Sequence, residues 1–117
     1  MRDRPLYPPL TPEIAVRRRD LAPAIANSFQ QFADMSLASG ALSAKTKHLI
    51  AFAVAQVTQS PYCIRSHAKW ALHVGATPKE LMEAAWVAAM MRSAATVTHM
   101  TVAVDEFMRL EEASRSR

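Results

Sequence analysis

Residues 49–55 read Leu-Ile-Ala-Phe-Ala-Val-Ala, and residues 81–91 are apolar at every position except Glu83. Wound as helices, both stretches are apolar on nearly every face, and such helices are buried on all sides rather than laid on a surface. Neither run reaches the about 20 residues needed to cross a bilayer. The chain must therefore surround them with protein. It has 117 residues, enough for a single domain. A domain of that size still leaves roughly 40% of its unfolded surface exposed. Burial between subunits is the simplest outlet, so the chain is expected to be an obligate oligomer.

The rest of the pattern is helical too. Glycine occurs only twice, while alanine, leucine and methionine abound. No strand-like alternation is visible. Residues 1–10 hold three of the seven prolines and should form an extended arm. Thr11-Pro12-Glu13 opens a short helix, halted near Pro23. A second helix starts there, carrying Ile25, Phe29 and Phe32 as an amphipathic stripe, with Gly40 at its end or in the following loop. Ser43 caps a third over 44–58, and Ser60-Pro61 opens a fourth over 61–73, stopped by Gly75. Thr77-Pro78-Lys79-Glu80 is a capping box opening a fifth, and a last helix covers 93–113. The expectation is an all-α domain of about six helices over 11–113, with a basic tail at 114–117.

The charge is +4, and much of it sits in Arg17-Arg18-Arg19 and in the tail. These positives alternate with acids and lack interleaved aromatics, which speaks against nucleic acid. The first ten residues lack the apolar segment of a secretory signal. A lone cysteine forms no internal disulfide. The expectation is a cytoplasmic protein with no membrane or nucleic-acid partner and no cofactor.

That cysteine carries the chemistry. Cys63 falls in the first turn of the helix opened by Ser60-Pro61, where free N–H groups and the helix dipole favour a thiolate. His67 follows one turn later on the same face. A thiol with a base one turn away suits nucleophilic or redox chemistry. Ser60 is suited to cap the helix. Tyr62, Trp70 and Trp86 are candidates to line an apolar or aromatic pocket, although a tryptophan on a helix as apolar as that of Trp86 is more often core.

Several stretches, in order, resemble the carboxymuconolactone decarboxylase and alkylhydroperoxidase D-like proteins: Lys45-Thr46-Lys47-His48-Leu49-Ile50-Ala51; Ser60-Pro61-Tyr62-Cys63 with His67; Gly75-Ala76-Thr77; and Ala88-Ala89-Met90-Met91-Arg92 through His99. The resemblance implies an all-helical fold assembled as trimers or hexamers, with sites near subunit interfaces. In the redox branch it implies a Cys-x-x-Cys-x-x-x-His dithiol, with a glutamate and the motif histidine relaying protons. Another branch decarboxylates a lactone without the dithiol. Here Ser60 replaces the first cysteine, and His48 replaces the glutamate.

Three readings follow. The first is a thiol-dependent antioxidant acting on a hydroperoxide: Cys63 attacks, His67 and His48 move the proton, and an external thiol resolves the oxidised cysteine because Ser60 cannot. The second is a decarboxylase-like lyase acting on a lactone, with His67 and His48 as acid–base groups. The third is a non-catalytic oligomeric binding module. A minority reading places a divalent metal on Cys63, His67, His48 and His99. Without the metal, His99 is a pocket or packing residue.

Overall fold

The computed structural model describes residues 4–117, which form five α-helices and, among the described residues, no strand. They are α1 (Pro12–Asp20), α2 (Pro23–Leu37), α3 (Ala44–Thr58), α4 (Pro61–His73) and α5 (Pro78–Arg115). Residues 4–10 are irregular, as three prolines require; residues 1–3 of the expected arm lie outside the described residues. Proline stands in the first turn of every helix but α3. Side chains of Thr11, Ser43, Ser60 and Thr77 accept backbone N–H bonds at four of the five starts.

One expectation needs correction. The separate helices beginning near Pro78 and Ser93 are a single helix of 38 residues, so the count is five rather than about six. No proline or glycine occurs after Pro78, and neither Arg92 nor Ser93 supplies another reason to stop. The helix also continues through Ser114 and Arg115, which shortens the free tail. At about 1.5 Å per residue, α5 is a rod roughly 57 Å long.

Two chain reversals hold α3, α4 and the start of α5 together. At the end of α4 the Ala76 N–H bonds back to the Ala71 carbonyl (2.9 Å) and the Gly75 N–H to the Leu72 carbonyl (3.1 Å). This is a Schellman stop, and Gly75 takes the left-handed conformation it needs (φ 98°). At the end of α3 Gln59 is likewise left-handed (φ 56°), and both its own N–H and the Ser60 N–H (3.2 Å) bond to the Ala55 carbonyl. Only Gln59 and Ser60 separate α3 from α4, so the two helices fold back as a tight hairpin.

The core lies inside this three-helix unit. Phe52, Ala71, Ala76 and Leu81 are its buried centre, flanked by Leu49, Ile64, Ala68 and Ala85. Ala71 has no exposed surface, and its small side chain lets helices approach closely. α1 and α2 pack on each other, and α2 reaches α3. The ammonium of Lys47 secures the end of α2 by donating to the Ala38 carbonyl (2.6 Å). Lys45 in turn pairs with Glu80 across α3 and α5 (2.8 Å). Burial all round α3 and α5 is not met within one chain: Ile50 and Val54 are half exposed, and Trp86 is 69% exposed. No helix is long and apolar enough to cross a membrane among the described residues.

The α5 start rests on its capping box: the Thr77 hydroxyl accepts the Glu80 N–H (3.1 Å), and the Glu80 carboxylate accepts the Thr77 N–H (2.9 Å). Thr77→Ala should cost about 1 kcal/mol. The expected outcome is a lower thermal midpoint than wild type at equal protein concentration, measured by circular dichroism.

Candidate functional site

α3 and α4 run antiparallel out of the Gln59–Ser60 turn, and this brings His48 on α3 against His67 on α4. Their Nδ1 atoms are 3.2 Å apart, a hydrogen-bond distance, with ring centroids 5.4 Å apart. His48 is buried and His67 half-buried. Burial lowers the proton affinity of His48 below the ordinary imidazole value. His67 is lowered by burial first and by the neighbouring His48 second. Both rings are therefore neutral near pH 7. In a neutral Nδ1-to-Nδ1 pair, one ring donates and the other accepts. The two outer Nε2 atoms then have opposite character, one a proton acceptor and the other a donor.

Both histidines line a cleft of about 610 Å³ between α2 and the α3–α4 hairpin, and Cys63 lines it too. Cys63 is exposed and sits one turn before His67. Ser60 caps this turn, its hydroxyl accepting the Cys63 N–H at 3.4 Å. Trp70, two helical turns beyond Cys63, supplies an aromatic wall, as its spacing suggests. Ser66 adds a hydroxyl.

The opposite wall is α2, whose part in the site the sequence reading did not anticipate. Phe29, Leu37 and the Gln30–Asp34 pair face the cleft, with the Gln30 amide donating to the Asp34 carboxylate at 2.8 Å. The available signal was the i, i+4 spacing of Gln30 and Asp34 beside an apolar stripe. Nothing in it points toward Cys63, because the two lie on different helices.

Two other candidates lie elsewhere. Tyr62 does not line the cleft: its hydroxyl donates to the Pro8 carbonyl at 2.7 Å, and its ring meets Tyr7 edge-on at 6.2 Å. It clasps the N-terminal arm next to Cys63. His99 lies on α5 beside Val57, Met91, Arg92 and Thr96, in a separate groove. Within one chain it does not join Cys63, His67 and His48. Among the described residues, no three His, Cys, Asp or Glu side chains are grouped to hold a metal ion.

The depressed imidazoles link stability to pH. Between the folded value and the ordinary value near 6.5, the unfolded chain binds more protons than the folded one. Stability from this pair is full above about pH 6.5 and falls as the pH drops toward the folded values. Urea unfolding between pH 8 and 5 should show that decline, and His48→Gln/His67→Gln should flatten it.

Comparisons with known proteins agree with this architecture. The model of the carboxymuconolactone decarboxylase family matches residues 23–106. A Paracoccus denitrificans protein described as uncharacterized protein 4 in cox locus is 48% identical over 80 residues, covering 68% of this chain and 72% of that one. A crystal structure from Methanobacterium thermoautotrophicum aligns with a TM-score of 0.67 at 34% identity, over 71% of this chain and 93% of the other. The apo crystal structure of a carboxymuconolactone decarboxylase family protein from Legionella pneumophila aligns with a TM-score of 0.63 at 35% identity, over 66% and 69% of the respective chains. With the matched segment running from the start of α2 well into the distal half of α5, the chain belongs to the carboxymuconolactone decarboxylase family.

Proposed function

We propose that this protein reduces a hydroperoxide through Cys63, using a thiol from outside the chain to complete the cycle. The observation that carries the reading is that an exposed cysteine shares one cleft with a hydrogen-bonded pair of neutral imidazoles. His67 takes the Cys63 proton. The thiolate attacks the terminal peroxide oxygen: an S–O bond forms, the O–O bond breaks, and the protonated His67 returns its proton to the departing alkoxide. The products are an alcohol and the sulfenic acid of Cys63. Ser60 has no sulfur with which to close a disulfide. A small thiol therefore condenses with the sulfenic acid, releasing water, and a second thiol frees Cys63 as the first leaves in a disulfide.

The same imidazole pair also favours a second reading, lyase chemistry on a lactone, in which one Nε2 removes a proton and the other delivers one. Cys63 is then only part of the wall.

A coupled assay with an alkyl hydroperoxide and glutathione or dithiothreitol tests the proposal. Wild type should turn over, Cys63→Ser should lose all turnover, and His67→Ala should lose about 10²-fold in kcat/KM. No turnover, together with no oxidation of Cys63 by modest peroxide in mass spectra, would overturn it. Lactone turnover that survives Cys63→Ala and needs both histidines would establish the second reading in its place.

A further inference from the structure

The cleft that holds Cys63 does not end at the α3–α4 hairpin. Phe29 and Gln30 line it from α2, and the same two residues line a second cavity of about 570 Å³ between α1 and α2. Along α2 the lining passes from Ala26 through Phe29, Gln30 and Ala33 to Leu37, at spacings of three and four residues that keep to one helix face. The two cavities are therefore neighbouring lengths of one groove. Its floor is α2, 15 residues or about 22 Å long. α1 walls the first half, and the α3–α4 hairpin walls the half with Cys63.

The groove is apolar along its length and differs in charge at its two ends. Val16, Ile25, Phe29, Leu37 and Trp70 supply a hydrocarbon lining. Arg18 and Arg19 line the α1 end, and Asp34 lines the Cys63 end. Arg19 is engaged with Asp20 at 3.5 Å, whereas Arg18 has no salt bridge among the described residues. An anionic group is thus drawn to Arg18 and repelled from the Cys63 end. The position of α1 is secured from the arm before it, where Pro8 accepts the Tyr62 hydroxyl and Arg18 lines a small cavity beside both. α1 lies ahead of residues 23–106, so Arg18 stands outside the segment that the family model matches.

We propose that this groove binds a long-chain carboxylate, its head on Arg18 and its acyl chain laid along α2 toward Cys63. A single acyl chain is about 15 Å long, half the hydrocarbon core of a bilayer, so α2 is long enough to carry one. One unpaired guanidinium matches one carboxylate. The assignment extends the redox reading of Cys63 given above and names its substrate class: a fatty acid hydroperoxide, reduced to the hydroxy acid by the step already described, with the external thiol as reductant. A small peroxide would leave the apolar lining unused.

Binding and turnover are tested separately. Decanoate, dodecanoate and tetradecanoate, kept below their micelle concentrations, are titrated into wild type in a calorimeter, with the alcohols of the same lengths beside them. Affinity should rise about twofold per methylene, half the free energy of full burial because the groove is open to solvent. Arg18→Gln should weaken the acids about tenfold and bring them level with the alcohols, and Arg18→Lys should restore part of the difference. Ile25→Glu, at a side chain 75% exposed and so free to change without unfolding α2, should weaken every acid. In the coupled assay, linoleic acid hydroperoxide should have the higher kcat/KM against tert-butyl hydroperoxide, and Arg18→Gln should reduce that preference through KM. Equal affinity of acids and alcohols for wild type, no dependence on chain length, or binding to phosphatidylglycerol vesicles without binding of the free acids would overturn the proposal. Acids that bind as expected without any hydroperoxide turnover would uphold the groove and remove the redox reading of Cys63 alone.

Discussion

The two-residue reversal at Gln59 and Ser60 is the constraint on which the rest of the site depends. Gln59 accepts a left-handed backbone that ordinarily favours glycine. Ser60 serves both helices: its N–H closes α3 on the Ala55 carbonyl, and its hydroxyl caps α4 at Cys63. With no slack between the helices, the register of α3 against α4 is fixed, and that register sets His48 against His67. The serine at the first motif position is thus accounted for structurally. A hydroxyl is a strong helix cap, and a thiol is only a weak acceptor.

The chemistry of the cleft follows from what the hairpin encloses. Burial withdraws water from the imidazole pair, and that desolvation holds both rings neutral. A glutamate in place of His48 would bring a negative charge beside His67 and favour the imidazolium. With His48 there instead, the second ring is another neutral donor and acceptor that disfavours charge on the first. The pair is poised to pass a proton rather than to store one.

Most of the architecture was legible in the sequence because its signals are local. The caps at Thr11, Ser43, Ser60 and Thr77, the stop at Gly75, and the bounds of α3 and α4 all come from residues within one turn of the feature they specify. The extra break near Ser93 was an error of reading composition where only proline or glycine would have enforced a stop. At the site, the Cys63–His67 spacing was visible because both lie on one helix. The convergence with His48 was suggested by resemblance, since spacing says nothing about residues on two helices. The contact of Tyr62 with the N-terminal arm was not legible for the same reason: its partner Pro8 lies 54 positions away. The α2 wall, with Gln30 and Asp34, was missed because nothing local distinguishes a cleft-lining i, i+4 pair from a solvated one.

The position of the core along the chain has a consequence for the order of folding. Phe52, Ala71, Ala76 and Leu81 fall within residues 52–81, joined by two tight turns. Contacts between residues so near in sequence need little loop closure, and folds built from them form quickly. The distal turns of α5 have no comparable partners in their own chain. They lengthen a helix already nucleated at Thr77, which is far easier than starting one. The hairpin bearing His48, Cys63 and His67 can therefore take shape on a nascent chain, before the rod of α5 is complete.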